Sequence, residues 1–192
     1  MSKVITFKVE ISGLENKIWR KIEISDNSTL ATLAYTILAT FNSLSYHLYE
    51  IKHGNVVYSC SVADNFKDVL LTTNIKIKDI DFTNPKLEMT YDFGTPTTFT
   101  INYLSSKDMK KGTGTHYPYI IDGEGTGMID DISCFDLKEI VEFIDKNGYS
   151  KYNYTPGYNL DILYDYRNYD IKSDNRLLKG EISYIKSAYE ED

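Results

Sequence analysis

The sequence predicts an α+β fold: a largely antiparallel β-sheet packed by helices, in a single domain with a tyrosine-rich, acidic C-terminal part. Three observations carry this. Apolar and polar residues alternate with period 2 in several short runs between residues 5 and 103. Helical spacing of apolar residues is concentrated in three stretches, near residues 30–41, 135–147 and 173–190. The strand-like runs come in pairs joined by turn residues, with single helices between or after them.

The elements follow in order. Ile5, Phe7, Val9 and Ile11 alternate with Thr6, Lys8 and Glu10, the pattern of a half-buried strand. Residues 13–17 supply a turn, and Ile18, Ile22 and Ile24 return against Trp19, Lys21 and Glu23. Asp26, Asn27, Ser28 and Thr29 are all good helix caps. Behind them Leu30, Leu33, Ala34, Ile37, Leu38 and Phe41 form a wide apolar stripe, the clearest helix in the chain. A second hairpin joins residues 47–52 to residues 56–60 across His53, Gly54 and Asn55. Residues 61–84 are polar, with Ile75, Ile77 and Ile80 marking a short strand or a helical turn.

Leu87, Met89, Tyr91 and Phe93 alternate again, Gly94-Thr95-Pro96 turns the chain, and Phe99, Ile101 and Tyr103 return. Residues 107–115 read as a loop that holds the one tight lysine pair, Lys110-Lys111. A further strand at residues 116–122 leads into Gly123-x-Gly125-x-Gly127. Residues 135–147 form a helix on Leu137, Ile140, Val141 and Ile144, stopped by Gly148. The last helix, residues 173–190, has Leu177, Leu178, Ile182 and Ile185 as its stripe. This divides the chain into an α+β core, residues 1–148, and a C-terminal extension, residues 149–192, packed on it.

With 42% hydrophobic residues the 192-residue chain can fill a core, so disorder is excluded. Its net charge of −7 excludes a generic phosphate-backbone binder, which needs a Lys/Arg surface. The charge is uneven: residues 1–115 hold 13 basic and 12 acidic side chains, residues 116–192 hold 8 and 16. The C-terminal part therefore offers an acidic face for a basic partner, or a solvated surface that aids solubility. No stretch is apolar enough to span a membrane, and the N-terminus lacks the pattern of a signal peptide. Cys60 and Cys134 have no C-x-x-C spacing, so reduced thiols in the cytoplasm are expected.

Asp122, Glu124, Asp130 and Asp131 lie within ten residues, and Asp92 is placed to approach from the sheet. Clustered carboxylates suit Mg2+, Mn2+ or Ca2+, and two such metals would support phosphodiester hydrolysis. The same acids also suit capping of the helix that begins near Asp136. His47 is placed to hydrogen-bond Asp92 if their strands are neighbours, as a structural pair or an acid–base pair. His47, His53 and His116 have no zinc-enzyme spacing. The three glycines lack the lysine and the strand–loop–helix setting of a phosphate loop. Trp19 and Arg20 point to opposite faces of their strand, with Arg20 expected to pair with a carboxylate such as Asp92. Tyr149, Tyr152, Tyr154, Tyr158, Tyr164, Tyr166 and Tyr169 are interleaved with Asp161, Asp165 and Asp170. Tyrosine among acids fits a protein partner with a basic surface, Tyr152, Tyr154, Tyr158, Asp161, Tyr164, Asp165 and Tyr166 being its contacts. Packing of a C-terminal subdomain is the alternative.

Several landmarks fall in a familiar order: Trp19-Arg20-Lys21-Ile22, His47-Leu48-Tyr49-Glu50, Tyr91-Asp92-Phe93-Gly94, Tyr117-Pro118, Asp122-Gly123-Glu124-Gly125, Asp130-Asp131, Tyr169-Asp170 and Asn175-Arg176-Leu177. Over residues 3–180 this set resembles the plasmid pRiA4b ORF-3-like family, passenger proteins of plasmids and transposons. The chain departs from that pattern at Thr95, Thr97 and Phe99, where the family has Asp, Trp and His, and in the loop after Gly127. The resemblance implies fold and genomic setting more than mechanism. With the charge, it points to an inhibitor of a host nucleic-acid-targeting defence effector, concretely an anti-CRISPR-like protein acting on Cas9 with its guide RNA. A metal-dependent nuclease using the 122–131 carboxylates is one alternative, and a non-catalytic adaptor the other.

Overall fold

The computed structural model describes residues 2–61, 70–148 and 164–190. Among the described residues are one eight-stranded sheet and three α-helices. The strands are β1 (Lys3–Ile11), β2 (Trp19–Ser25), β3 (Tyr49–His53), β4 (Val56–Ser59), β5 (Leu70–Leu71), β6 (Lys86–Tyr91), β7 (Thr97–Asp108) and β8 (Tyr119–Glu124). The helices are α1 (Leu30–Thr40), α2 (Cys134–Asn147) and α3 (Ile171–Glu190). Across the sheet the order is β5-β4-β3-β6-β7-β1-β2-β8. Every neighbouring pair is antiparallel except β4 with β5.

The expected hairpins β1–β2, β3–β4 and β6–β7 are present. The end of β7 differs from the sequence reading, and the stretch after β5 takes the second of its two expected forms, a helical turn. Strand β7 runs on to Asp108, past the predicted end at Tyr103, because Ser105 to Asp108 pair with Lys3 to Thr6 of β1. A loop-like composition is overridden there by a strand waiting for a partner. The stretch holding Ile77 and Ile80 forms a 3-10 turn at Ile77–Asp79, with Ile77 buried.

Helix α1 starts at Thr29, whose hydroxyl accepts the Thr32 N–H. It is buried on nearly every side, because it lies against the sheet and is itself covered by α3. Helix α2 is capped by Ser133, which accepts the Asp136 N–H. The cap is therefore a serine rather than one of the 122–131 carboxylates. In α3 the buried residues are Leu178 and Ile185, while Leu177, assigned to its stripe from the sequence, is exposed. Asn175 of α3 makes two bonds to Ile120 of β8, donating to its carbonyl and accepting its N–H. It thereby occupies backbone groups on the strand that ends the sheet.

Arg20 organises the junction of β2, the end of α1 and the glycine loop. Its guanidinium is fully buried, and all five N–H groups have acceptors. Nε donates to Thr40 Oγ1, one terminal nitrogen to the carbonyls of Trp19 and Glu124, and the other to those of Thr40 and Thr126. Its charge lies over the rings of Tyr169 at 3.6 Å and Phe41 at 4.9 Å. The carboxylate beside it is Asp174, at 3.7 Å, rather than the expected Asp92. One side chain thus ties β2 and the end of α1 to the glycine loop.

That loop is packed rather than open. A Cβ on Gly125 would overlap the Lys17 carbonyl, and one on Gly127 would overlap the Phe41 carbonyl. Both residues have positive φ, +76° and +141°. The glycines serve close backbone packing, which leaves no cradle for a phosphate.

Candidate metal centre

Three segments bring the site together. After α1 the chain turns through Asn42 and Ser45, both with φ +61°, and delivers His47. Strand β6 ends at Tyr91, and Asp92 follows at φ +60°. Its carboxylate accepts the Gly94 N–H at 2.9 Å and the Thr95 hydroxyl, which holds it in a tight turn. Beyond the glycine loop, Asp131 also lies at positive φ, +61°. Asn and Asp tolerate this backbone better than most residues, and such outliers gather at functional sites.

His47 Nε2 lies 2.9 Å from Asp131 Oδ1 and 3.6 Å from Asp92 Oδ2. One donor atom from each of the three lies within 4.8 Å of the others. Asp92 is buried, His47 half-buried and Asp131 exposed. Burial works to raise the Asp92 carboxyl, but the bonds from Thr95 and Gly94 and the nearby His47 outweigh it, and it stays below the ordinary aspartate value. Asp131 is held low by bonds from Tyr46 and His47. The Tyr46 hydroxyl donates to Asp131 Oδ2 at 2.6 Å, and its ring packs on His47 at 4.3 Å.

The backbone of His47 is anchored at both ends. Its N–H donates to the Tyr91 oxygen at 3.4 Å, and its carbonyl accepts the hydroxyl of Tyr189, from the end of α3. Tyr189 in turn stacks on Tyr35 at 5.6 Å. Burial pushes the Tyr91 phenol up to about 12, so it remains a donor at neutral pH.

The predicted residues divide clearly. His47, Asp92 and Asp131 converge. Asp130 is adjacent, but its oxygens accept from Ser43, Leu44 and Tyr91. Asp122 sits on β8 and pairs with Lys21 at 3.0 Å, and neither it nor Glu124 joins the donor group. Tyr164 and Tyr166, expected on a partner-binding face, are 4% and 6% exposed and belong to the core. Their hydroxyls donate to the Gly127 carbonyl and to Asp145. Asp165 pairs with Arg167 at 2.8 Å. Tyr152, Tyr154, Tyr158 and Asp161 lie outside the described residues. Sequence reasoning missed Tyr46, Tyr91 and Tyr189; the signal available for the first two was their place beside His47 and Asp92.

An imidazole and two carboxylates form a mixed nitrogen–oxygen set that leaves coordination positions for water. Beside it runs a groove of about 410 Å3, walled by Leu44, Tyr46, Met128, Ile129 and Tyr164. A larger cavity of about 570 Å3 lies among Glu23, Lys107, Lys110, His116, Tyr117 and Tyr119. Lys107 is paired with Glu23 there, and no donor group for an ion is found there among the described residues.

Among the described residues no helix is long and apolar enough to cross a membrane. The crystal structure of a protein of unknown function, MM3350 from Methanosarcina mazei Go1, shares the fold at a TM-score of 0.73 and 23% identity. The likeness covers 90% of this chain and 96% of that one. Comparison with curated proteins gave no match. The family model for the plasmid pRiA4b ORF-3-like protein matches residues 3–172, the span that builds the whole sheet and carries His47, Asp92 and Asp131. The chain belongs to the plasmid pRiA4b ORF-3-like family.

Proposed function

We propose that the protein is a divalent-metal-dependent hydrolase, with one ion held by His47, Asp92 and Asp131 and the substrate laid along the neighbouring groove. The observation that carries this is the convergence of three donors, from three separate segments, within 4.8 Å of one another. Three protein ligands leave room for a water molecule, and a bound divalent cation makes that water acidic enough to supply a nucleophile near neutral pH. The imidazole favours Mn2+ or Zn2+ over Mg2+, which prefers all-oxygen sites. Among the described residues the groove lining contains no lysine or arginine, so these residues offer a nucleic-acid chain no counter-charge except the ion. This supports an uncharged or cationic ester or amide ahead of the RNA or DNA expected from the acidic loop.

The test is calorimetric titration of the full chain with Mn2+, Zn2+ and Mg2+, followed by assays on ester, amide and phosphodiester substrates. Ion binding and EDTA-sensitive hydrolysis, both lost in His47→Ala and Asp92→Asn, are expected. Failure of all three ions to bind overturns the reading.

A second reading rests on the charge. The acids of residues 116–192 outnumber the bases by eight, which supports docking to a basic nucleoprotein, such as a Cas9-type effector with its guide RNA. It expects salt-sensitive binding and blocked cleavage. Unimpaired cleavage at low salt with the protein in excess would reject it.

A further inference from the structure

Asp130 is next to the donor group and yet outside it. We infer that it is the positioning residue of the ion site, an inference that rests on the metal-binding reading above. Its carboxylate ties together the three segments that carry the ligands. Oδ2 accepts the Leu44 N–H at 2.8 Å, and Oδ1 accepts the Ser43 hydroxyl at 3.2 Å, which fixes the segment leading to His47. Oδ1 also accepts the Tyr91 hydroxyl at 2.9 Å, and Tyr91 is the residue before Asp92. Asp131 follows Asp130 directly.

The link to His47 is also direct. The Tyr91 oxygen that donates to Asp130 accepts the His47 N–H, so a two-bond chain joins the carboxylate to the backbone of the ligand residue. The segment it anchors contains two left-handed residues, Asn42 and Ser45, in a stretch between α1 and β3 that is tied at its far end by the Asp92 N–H, which donates to the Leu48 carbonyl at 3.0 Å. Such a segment keeps one shape only while its ends are tied. With three donors on its two oxygens, the Asp130 carboxylate is committed to the protein. Partners of this kind orient a metal ligand, and their loss typically costs about 10- to 100-fold in ion affinity.

The experiment measures Mn2+ and Zn2+ binding by calorimetry on the full chain, with thermal melts of the ion-free proteins beside it. Asp130→Asn replaces one of the two acceptor oxygens by an NH2, which faces either the Leu44 N–H or the Ser43 and Tyr91 hydroxyls, and is expected to weaken binding by roughly tenfold or more. Tyr91→Phe and Ser43→Ala each remove one donor and are expected to weaken it in the same direction with the fold intact. They carry the test if Asp130→Asn does not fold. Where hydrolysis is found, the ion concentration for half-activation rises while the rate at saturating ion is kept. Wild-type affinity in Asp130→Asn, or in both single-donor variants, overturns the inference and leaves the metal-binding reading standing. Abolished binding in Asp130→Asn with normal binding in Asp131→Asn also overturns it, since Asp130 would then be a ligand. If the wild-type chain binds no ion, the metal-binding reading itself fails.

Discussion

Arg20 Nε stands 3.7 Å from Asp174 Oδ2, and the carboxyl of that pair nonetheless sits above the ordinary aspartate value. Burial is the larger effect, outweighing the bonds from Thr40 and Tyr169 and the nearby guanidinium. The guanidinium has its five donors taken by neutral oxygens, so the pair is close without a direct hydrogen bond between the two groups. Its value lies in geometry: one planar fork holds carbonyls from three segments.

Arg20→Lys keeps the charge and loses the fork. The three N–H groups of an ammonium face five acceptors, so at least one of the carbonyls of Trp19, Thr40, Glu124 and Thr126 loses this donor in the interior. We expect a loss of about 3 kcal/mol or more of folding stability in urea titrations. A change below about 1 kcal/mol would count against the assigned role.

Asp174 also predicts a pH effect. Its folded value lies above the ordinary 3.8, so its contribution to stability is full below that value and declines as pH rises through the raised one. Asp174→Asn mimics the protonated form. The melting temperature of the variant relative to wild type is expected to rise as pH increases from the ordinary 3.8 through the raised value. A difference that stays flat over that range would contradict the assignment.

The glycine loop gives a steric test. Gly127→Ala meets the Phe41 carbonyl as well as an unfavourable φ, whereas Gly112→Ala, at φ +82°, has nothing within 4 Å. The second is expected to cost only backbone strain, about 1–2 kcal/mol. The first should cost clearly more and should weaken ion binding too, since Asp130 and Asp131 lie three and four residues further along the same loop. Equal losses in the two variants would refute the packing argument.

Ion binding should also appear as thermal protection. At an ion concentration about a hundredfold above the dissociation constant, a site absent from the unfolded chain adds about 2.7 kcal/mol. For a chain of this length that corresponds to a rise of roughly 5–10 °C. His47→Gln should abolish the shift, and an undiminished shift in that variant would place the ion elsewhere.

Asn175→Ala should free the Ile120 N–H and carbonyl on the terminal strand of the sheet. The expected outcome is a concentration-dependent dimer or aggregate in light scattering, because an open strand edge pairs with another. A variant that stays monomeric with unchanged stability would show that Asn175 has no such guarding role.

Much of the architecture was legible because alternation at Phe7, Val9, Met89 and Ile101 reports burial on one face of a strand. Helix α1 was legible from the spacing of Leu30, Leu33 and Ile37. The end of β7 was not, since Lys107 and Asp108 are strand only by pairing with β1. At the site, the sequence made the approach of His47 to Asp92 conditional on neighbouring strands, and β3 and β6 do pair, at Tyr49 and Tyr91. Asp122 and Glu124 were grouped with Asp130 and Asp131 because they are close in sequence. Gly125 and Gly127 turn the chain between them, so sequence distance misled there. The burial of Tyr164 and Tyr166 was hidden for another reason: tyrosine composition alone does not separate an interface from a core.

The position of β1 in the sheet sets a timetable for the chain. Its first neighbour, β2, follows within a few residues, but its other neighbour is β7, where Lys3 meets Asp108. A nascent polypeptide can therefore form the first hairpin early and must leave one side of it unpaired until more than half of the protein has been made. During that interval the exposed ladder of β1 is the surface most open to chaperones and to wrong partners. Chains halted before β7 should accordingly be aggregation-prone.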